Sequence, residues 1–289
     1  MTATPWRRLD GLSVKWRRPS VAELPTIVSR LENWEATPSG LARHANVLET
    51  VERYGVGELL VASDGGRWAV VLLTATGVAV PCGDPQLFAN APPLPAWRLI
   101  VGARDVVLAA LANGATRPPT IVHEQAFYTL DATAFRALPA PDDAALRFAT
   151  AEDLDGLAEL AVQLHIDDGF GPDPGARGLR GYRNRFAQII ADDRVWCVGP
   201  VGQPYAKIER SEPSSRYGVQ LSGIVVDRAH RGQGLATAAL YAAVKQTLSN
   251  PAINGPISLH LRSDNEAART VYERVGFGFQ EPWILAIRP

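Results

Sequence analysis

Residues 224–237 read Ile-Val-Val-Asp-Arg-Ala-His-Arg-Gly-Gln-Gly-Leu-Ala-Thr. An apolar strand ends there in a tight basic loop, and a helix-forming sequence follows. Glycines leave backbone N–H groups uncovered, and such groups at a helix N-terminus form a ready site for a phosphate. The helix dipole adds about half a positive charge at that end. Arg231 can add a charge-assisted hydrogen bond. The chemistry suggested by these residue types is the holding of a polyphosphate.

Three kinds of phosphate loop compete for this segment. A P-loop requires Gly-x-x-x-x-Gly-Lys-Ser/Thr, and no lysine follows Gly232 or Gly234. A dinucleotide fingerprint requires Gly-x-Gly-x-x-Gly, whereas Gly232-x-Gly234-x-x-Thr237 lacks the third glycine and comes too late in the chain. The third pattern, Arg/Gln-x-x-Gly-x-Gly/Ala, cradles the pyrophosphate of coenzyme A and is matched by Arg231-x-x-Gly234-x-Ala236. A second segment follows at residues 259–277. It reads as a strand and then Asn265-x-x-Ala268-x-x-x-Tyr272-x-x-x-Gly276-Phe277.

In this order and spacing the two segments resemble the signature motifs of the GNAT superfamily of N-acetyltransferases, over about residues 145–289. The resemblance implies direct attack of a primary amine on the thioester of acetyl-CoA in a ternary complex, with acetyl-CoA as co-substrate and no metal. It implies that strands 219–226 and 257–262 splay to admit the pantetheine arm. Backbone at Ile224, Val225 and Val226 would pair with that arm, one N–H stabilising the thioester oxygen. Arg231, Gly232, Gln233, Gly234, Leu235, Ala236 and Thr237 would hold the pyrophosphate. Asn265 corresponds to the motif asparagine beside the pantetheine, and Ser263-Asp264-Asn265-Glu266 is equally a good helix cap.

Tyr272 corresponds to the tyrosine that protonates the departing thiolate, a task suited to a phenol of pKa ~10. A core tyrosine on an amphipathic helix is the plainer alternative. Family members often carry a glutamate base on a splayed strand; the equivalent positions here offer Gln220, Ser222 and His260. A histidine ordinarily titrates near neutrality, and His260 faces the side opposite Leu259 and Leu261, which makes it the candidate base. A hydrogen-bonded strand histidine and a water chain are the competing readings. His165, Asp167, Asp168 and Asp173 concentrate in one loop, where Asp167 and Asp168 are candidate contacts to a cationic amine, or members of a solvated turn. Arg228, Arg231 and Arg269 can meet the cofactor's 3′-phosphate or serve as surface charges. A non-catalytic acyl-CoA-binding or regulatory protein is the alternative function: the missing acidic base favours it, and Tyr272 speaks against it.

These residues need a frame. Helical patterns are predicted around 154–164 and 182–190, strands at 145–149, 194–198, 205–210, 219–226 and 257–262, and helices over 235–248 and 266–275. Gly276 is a left-handed terminator, and 283–287 reads as a closing strand. The composition break Arg-Ala-Leu-Pro-Ala-Pro-Asp-Asp-Ala at 136–144 sets a boundary near residue 143, dividing the chain into 1–143 and 144–289. The first part shows a looser echo, with helices around 21–31 and 41–54, a hairpin over 59–73 and a strand-turn-helix over 97–113. The predicted class is α/β; the resemblance implies a mixed, mostly antiparallel central sheet with splayed strands and flanking helices. A second α/β domain precedes it and, lacking the glycine loop, resembles at most a degenerate copy, as in tandem GNAT proteins.

Composition narrows the partners. Lys+Arg 29 against Asp+Glu 30 provides no basic field for nucleic acid. No apolar run reaches the ~20 residues of a membrane helix, and the N-terminus lacks a signal-peptide core. Cys82 and Cys197 lie in apolar runs and read as buried thiols of a cytoplasmic protein. The expected partner is a small-molecule or peptide amine; a homodimer is compatible with the sequence.

Overall fold

Alternation of apolar and polar residues in short runs, broken by Gly, Pro and Asp turns, builds one sheet with helices on its faces. The computed structural model describes residues 14–34, 38–55, 57–112, 118–136 and 145–288. The boundary expected near residue 143 lies outside them. The strands are β1 (Leu59–Ser63), β2 (Trp68–Leu73), β3 (Val78–Gly83), β4 (Leu99–Ala103), β5 (Ile121–Leu130), β6 (Arg147–Phe148), β7 (Val195–Val198), β8 (Ala206–Arg210), β9 (Val219–Val226), β10 (Ile257–Arg262) and β11 (Gly278–Ile287). The helices are α1 (Leu24–Glu32), α2 (Pro38–Tyr54), α3 (Pro85–Asn90), α4 (Arg104–Ala112), α5 (Leu154–Asp167), α6 (Gly175–Ala191), α7 (Leu235–Leu248) and α8 (Glu266–Val275). Among the described residues no helix is long and apolar enough to cross a membrane.

The strand order is β1-β2-β3-β4-β11-β5-β10-β9-β8-β7-β6. All neighbours are antiparallel except two parallel pairs, β3/β4 and β9/β10. Each parallel pair is joined at two positions only: Val78 and Ala79 with Leu99 and Ile100, Val219 and Gln220 with Ile257 and Ser258. The echo in the sequence is thus a real repeat of architecture. β3 and β5 were not among the expected strands. Polar His123, Glu124 and Gln125 interrupt the apolar pattern of β5.

β5 and β11 change places. β5, from the first part of the chain, pairs with β10 from Gln125↔Arg262 to Leu130↔Ile257. β11, the last strand, pairs with β4 from Trp283↔Ala103 to Ile287↔Leu99. The two also pair with each other, so each half's last strand completes the other half's sheet. Period-two alternation lets β5 serve two cores. Ala126, Tyr128 and Leu130 pack with residues of α7 and α8, while Phe127 packs on the opposite side with Trp283, Trp97 and Val107. The Phe127 and Trp283 rings stack with centroids 4.3 Å apart and 3° between planes.

Phe127 is fully buried and Trp283 nearly so, and truncating a core aromatic to alanine typically costs about 3–5 kcal/mol. Trp283→Ala is expected to lower the melting temperature while leaving a single cooperative transition, because the stacked pair bridges both halves. Calorimetry with near-UV circular dichroism checks this; separate melting of the two halves would contradict it.

Candidate active site

β9 and β10 begin in contact and then part. At their joined end Gly218, at φ +79°, lies so close to the neighbouring chain that a Cβ would stand 2.0 Å from the Pro256 carbonyl oxygen. Only glycine fits there. Past Gln220, β9 leaves β10 and carries a bulge against β8, its register shifting between Lys207↔Val225 and Glu209↔Ser222. The gap opens into a cavity of about 620 Å³, walled by β9, the following loop, α7, the start of α8 and the C-terminal end of α5.

The loop after β9 is built by short-range polar bonds. The Asp227 carboxylate accepts from the Ala229 N–H at 2.9 Å and lies 3.1 Å from His230 Nδ1, and the His230 ring stacks on Tyr205 at 4.5 Å. Gly232 and Gly234 both adopt left-handed backbone, φ +75° and +79°, and Gly234 caps α7. A Cβ on either would meet open space. These glycines therefore serve the backbone turn and leave the mouth of α7 uncovered. The first N–H groups of an α-helix have no partner within the helix, and those of Leu235, Ala236 and Thr237 lie on the cavity wall.

Ile224, Val225, Val226, Arg231, Gly232, Gly234, Leu235, Ala236, Thr237 and Asn265 all line this one cavity, together with Asp167, Asp168 and Tyr272. Gln233 does not; its exposed side chain reaches back to the Ala229 carbonyl at 3.4 Å. Asn265 caps α8, its Oδ1 accepting from the Ala268 N–H at 3.0 Å, and still contributes to the lining. Arg231 donates through Nε to the Val226 carbonyl at 3.0 Å and pairs with Asp167 at 2.5 Å. Arg228 pairs with the other Asp167 oxygen. Asp167 is thus engaged in holding the loop arginines to α5. Arg269 donates to the Ser263 carbonyl at 2.6 Å and does not line the cavity.

Asp168 differs from its neighbour. It ends α5, where the helix dipole disfavours negative charge, and among the described residues its carboxylate has no hydrogen-bond or ion-pair partner. Burial pushes its carboxyl above the usual aspartate range, partly opposed by Arg262. Tyr272 is buried on α8 and lines the same cavity. Burial first, and then the Asp168 carboxylate, push its phenol well above the ordinary value. The two groups are therefore electrostatic neighbours, a proton acceptor and a proton donor in one space. Carboxylate-tyrosine coupling of this kind has no linear motif.

His260 stands elsewhere. With Leu259 and Leu261 turned into the core beside α7 and α8, its ring lies on the opposite face, stacked on Trp283 at 5.7 Å, with Nδ1 3.1 Å from Gln125 Oε1. Burial lowers it to about 4. The structure does not bring it to the cavity wall with the others.

The equivalent gap between β3 and β4 is nearly closed. It retains about 10 Å³, lined by His44, Val106 and Trp283 among others. The helix that follows β3 opens with Asp84-Pro85, and the Asp84 carboxylate accepts from the Gln86 N–H at 2.8 Å. A fixed anion and a proline occupy the site where α7 presents open amides.

No curated protein matches this sequence. Residues 187–277 match the model of the Acetyltransferase (GNAT) family, a span that contains β9, the glycine loop, α7, β10 and α8. Solved structures match nearly end to end. A GNAT-family acetyltransferase from Colwellia psychrerythraea superposes with TM-score 0.57 at 13% identity, covering 96% of this chain and 99% of its own. A GCN5-related N-acetyltransferase from Sphaerobacter thermophilus gives 0.56 at 17% identity and 96% of both chains. A tandem GNAT protein from the clavulanic acid biosynthesis pathway gives 0.54 at 14% identity, covering 96% and 98%. At such identities these likenesses carry the fold alone, a chain folded as two GNAT-like halves, and the family match places a GNAT acetyltransferase-family domain over residues 187–277.

Proposed function

We propose that the C-terminal half transfers an acetyl group from acetyl-CoA to a primary amine by direct attack in a ternary complex. The observation that carries this reading is the sharing of one cavity by open helix amides, a splayed strand edge, Asp168 and Tyr272. The residues present fit the acyl donor. The uncovered N-terminus of α7 suits a pyrophosphate, the open edge of β9 suits the amides of a pantetheine arm, and about 620 Å³ accommodates both. Acetyl-CoA supplies the activated acyl group.

The protein's own groups then have separate tasks. Asp168, raised by burial, takes a proton at its carboxylate from the neutral amine as it attacks, an incoming ammonium having first lost one proton to solvent. Ile224, on the open side of β9, offers its N–H to the thioester oxygen as charge develops there. Tyr272, held protonated, gives its proton to the leaving sulfur. One proton leaves nitrogen and one reaches sulfur, and the Asp168–Tyr272 neighbourhood allows the two residues to exchange a proton and reset. Asp264 adds a third carboxylate at the same cavity beside Asp167 and Asp168, although Arg262 is bound to it at 2.9 and 2.5 Å. A cationic small-molecule or peptide amine is the acceptor class this lining favours.

Tyr272→Phe is expected to retain acetyl-CoA binding and lose about 10²-fold or more in kcat, the usual range for a missing general acid. A thiol-release assay over a panel of amines, with calorimetric binding of acetyl-CoA, checks this. Binding by the wild type without turnover on any amine would favour an acyl-CoA-binding protein instead. The pH dependence follows from Asp168. Activity should fall as pH drops through a value above the ordinary aspartate range, and Asp168→Asn should abolish that limb.

The same shift has a sign for stability. A carboxyl whose folded pKa exceeds its unfolded one penalises the folded state when ionised. The penalty is full above the folded pKa and absent below the unfolded one. Asp168→Asn should therefore raise the melting temperature at neutral pH while lowering kcat, and leave the melting temperature little changed in acid. A variant less stable than wild type at neutral pH would contradict the assignment.

A further inference from the structure

A charged cluster lies beneath the bulge of β9. The Lys207 side chain is wholly buried and the Glu209 side chain is 5% exposed, both projecting from β8 toward β9. The Lys207 ammonium donates to the Glu209 carboxylate and, at 2.8 Å, to the Gly223 carbonyl oxygen. Arg185 of α6 binds the other Glu209 oxygen. Burial alone would raise the Glu209 carboxyl, but the two cations outweigh it and bring it down to about 2. Burial draws the Lys207 ammonium below the usual lysine range, and the Glu209 and Asp168 carboxylates oppose that fall.

Gly223 is what admits this cluster to the backbone. Its φ is +56°, and a Cβ there would lie 2.4 Å from a Glu209 carboxylate oxygen and 2.8 Å from Lys207 Nζ. The register shift puts Gly223 and Ile224 together opposite the single residue Ile208. A buried ion pair is a poor source of stability, since an apolar replacement often does as well. Its presence directly beneath the candidate acyl site therefore calls for a role other than holding the fold.

The peptide unit in question joins the Gly223 carbonyl to the Ile224 N–H. Strand alternation shows which way that N–H points. The Asp227 N–H goes to the Tyr205 carbonyl on the β8 side, whereas the Val226 carbonyl is taken by Gln163 and Arg231 on the open side. Ile224, two residues before Val226, thus also faces the open side, and it lines the cavity. A cation bound to the carbonyl end of an amide draws electron density from it and strengthens its N–H as a donor, as in any polarised hydrogen-bond chain.

We infer that Lys207 is a positioning residue that polarises the Gly223–Ile224 peptide, so that the Ile224 N–H binds the thioester oxygen more strongly as it gains charge; this rests on the acetyl-transfer reading above. Glu209 and Arg185 hold the ammonium in place. A lysine suits the role because it is a compact point charge, whereas the broad guanidinium used almost everywhere else in this chain has a planar fork.

The test uses acetyl-CoA isotopically labelled at the acetyl carbonyl, bound to the full chain, with the carbonyl stretch read by infrared difference spectroscopy. The wild type is expected to move the stretch to lower frequency than in free acetyl-CoA. Lys207→Met should lose most of that shift and about tenfold in kcat, a part of the 10²–10³-fold that loss of a whole oxyanion donor costs. The affinity for acetyl-CoA should stay unchanged. Lys207→Met combined with Glu209→Leu, which removes the pair together, should behave alike. An unaltered shift in either variant overturns the inference, as does a wild-type complex with no shift at all. A wild type that fails to bind acetyl-CoA sinks the transfer reading, and this inference with it.

Discussion

The separation of β9 from β10 is the constraint on which the site depends. A parallel strand that leaves its neighbour exposes backbone donors and acceptors on both edges, and buried backbone groups need partners. β10 tolerates the separation because its other edge is fully paired with β5, six residues of which run alongside it. β5 belongs to the first part of the chain. The N-terminal half, whose own gap between β3 and β4 is nearly closed, therefore supplies the strand that allows the C-terminal cavity to exist. β11 reciprocates by covering the edge of β4, and Phe127 stacked on Trp283 locks the exchange from within.

The two halves share one frame and differ in what sits at the head of a helix. After β9, two left-handed glycines leave the start of α7 bare. After β3, a carboxylate and a proline cap a helix of six residues. The first arrangement attracts an anion, and the second already contains one. The narrow gap between β3 and β4 is lined by Trp283, Val106 and His44, and burial lowers that histidine to about 4, so it is neutral near pH 7.

The sequence made the C-terminal frame legible because its signals are local. Glycines at fixed offsets, a cap three residues before an amide, and alternation within a strand all act over fewer than ten residues. β5 was not legible, since its polar start is explained by partners on other elements: His123 meets the Gly169 carbonyl, Glu124 pairs with Arg104, and Gln125 meets His260. The candidate base shows the same limit. Strand alternation correctly turned His260 away from Leu259 and Leu261, but the face it turned to is the Trp283 side and not the cavity. Asp167 and Asp168 look equivalent in sequence. One is bound by two arginines and the other ends a helix with no cation bound to it, a difference only the fold creates. Likewise, the role of Lys207 depends on a bulge in the adjacent strand.

Hydrogen-deuterium exchange of the full chain with and without acetyl-CoA shows where the cofactor sits. Protection on binding is expected in the amides of residues 224–237 and the start of α8, with the segments around β3 and β4 unchanged. Protection centred on residues 78–103, or none at saturating acetyl-CoA, would overturn that placement.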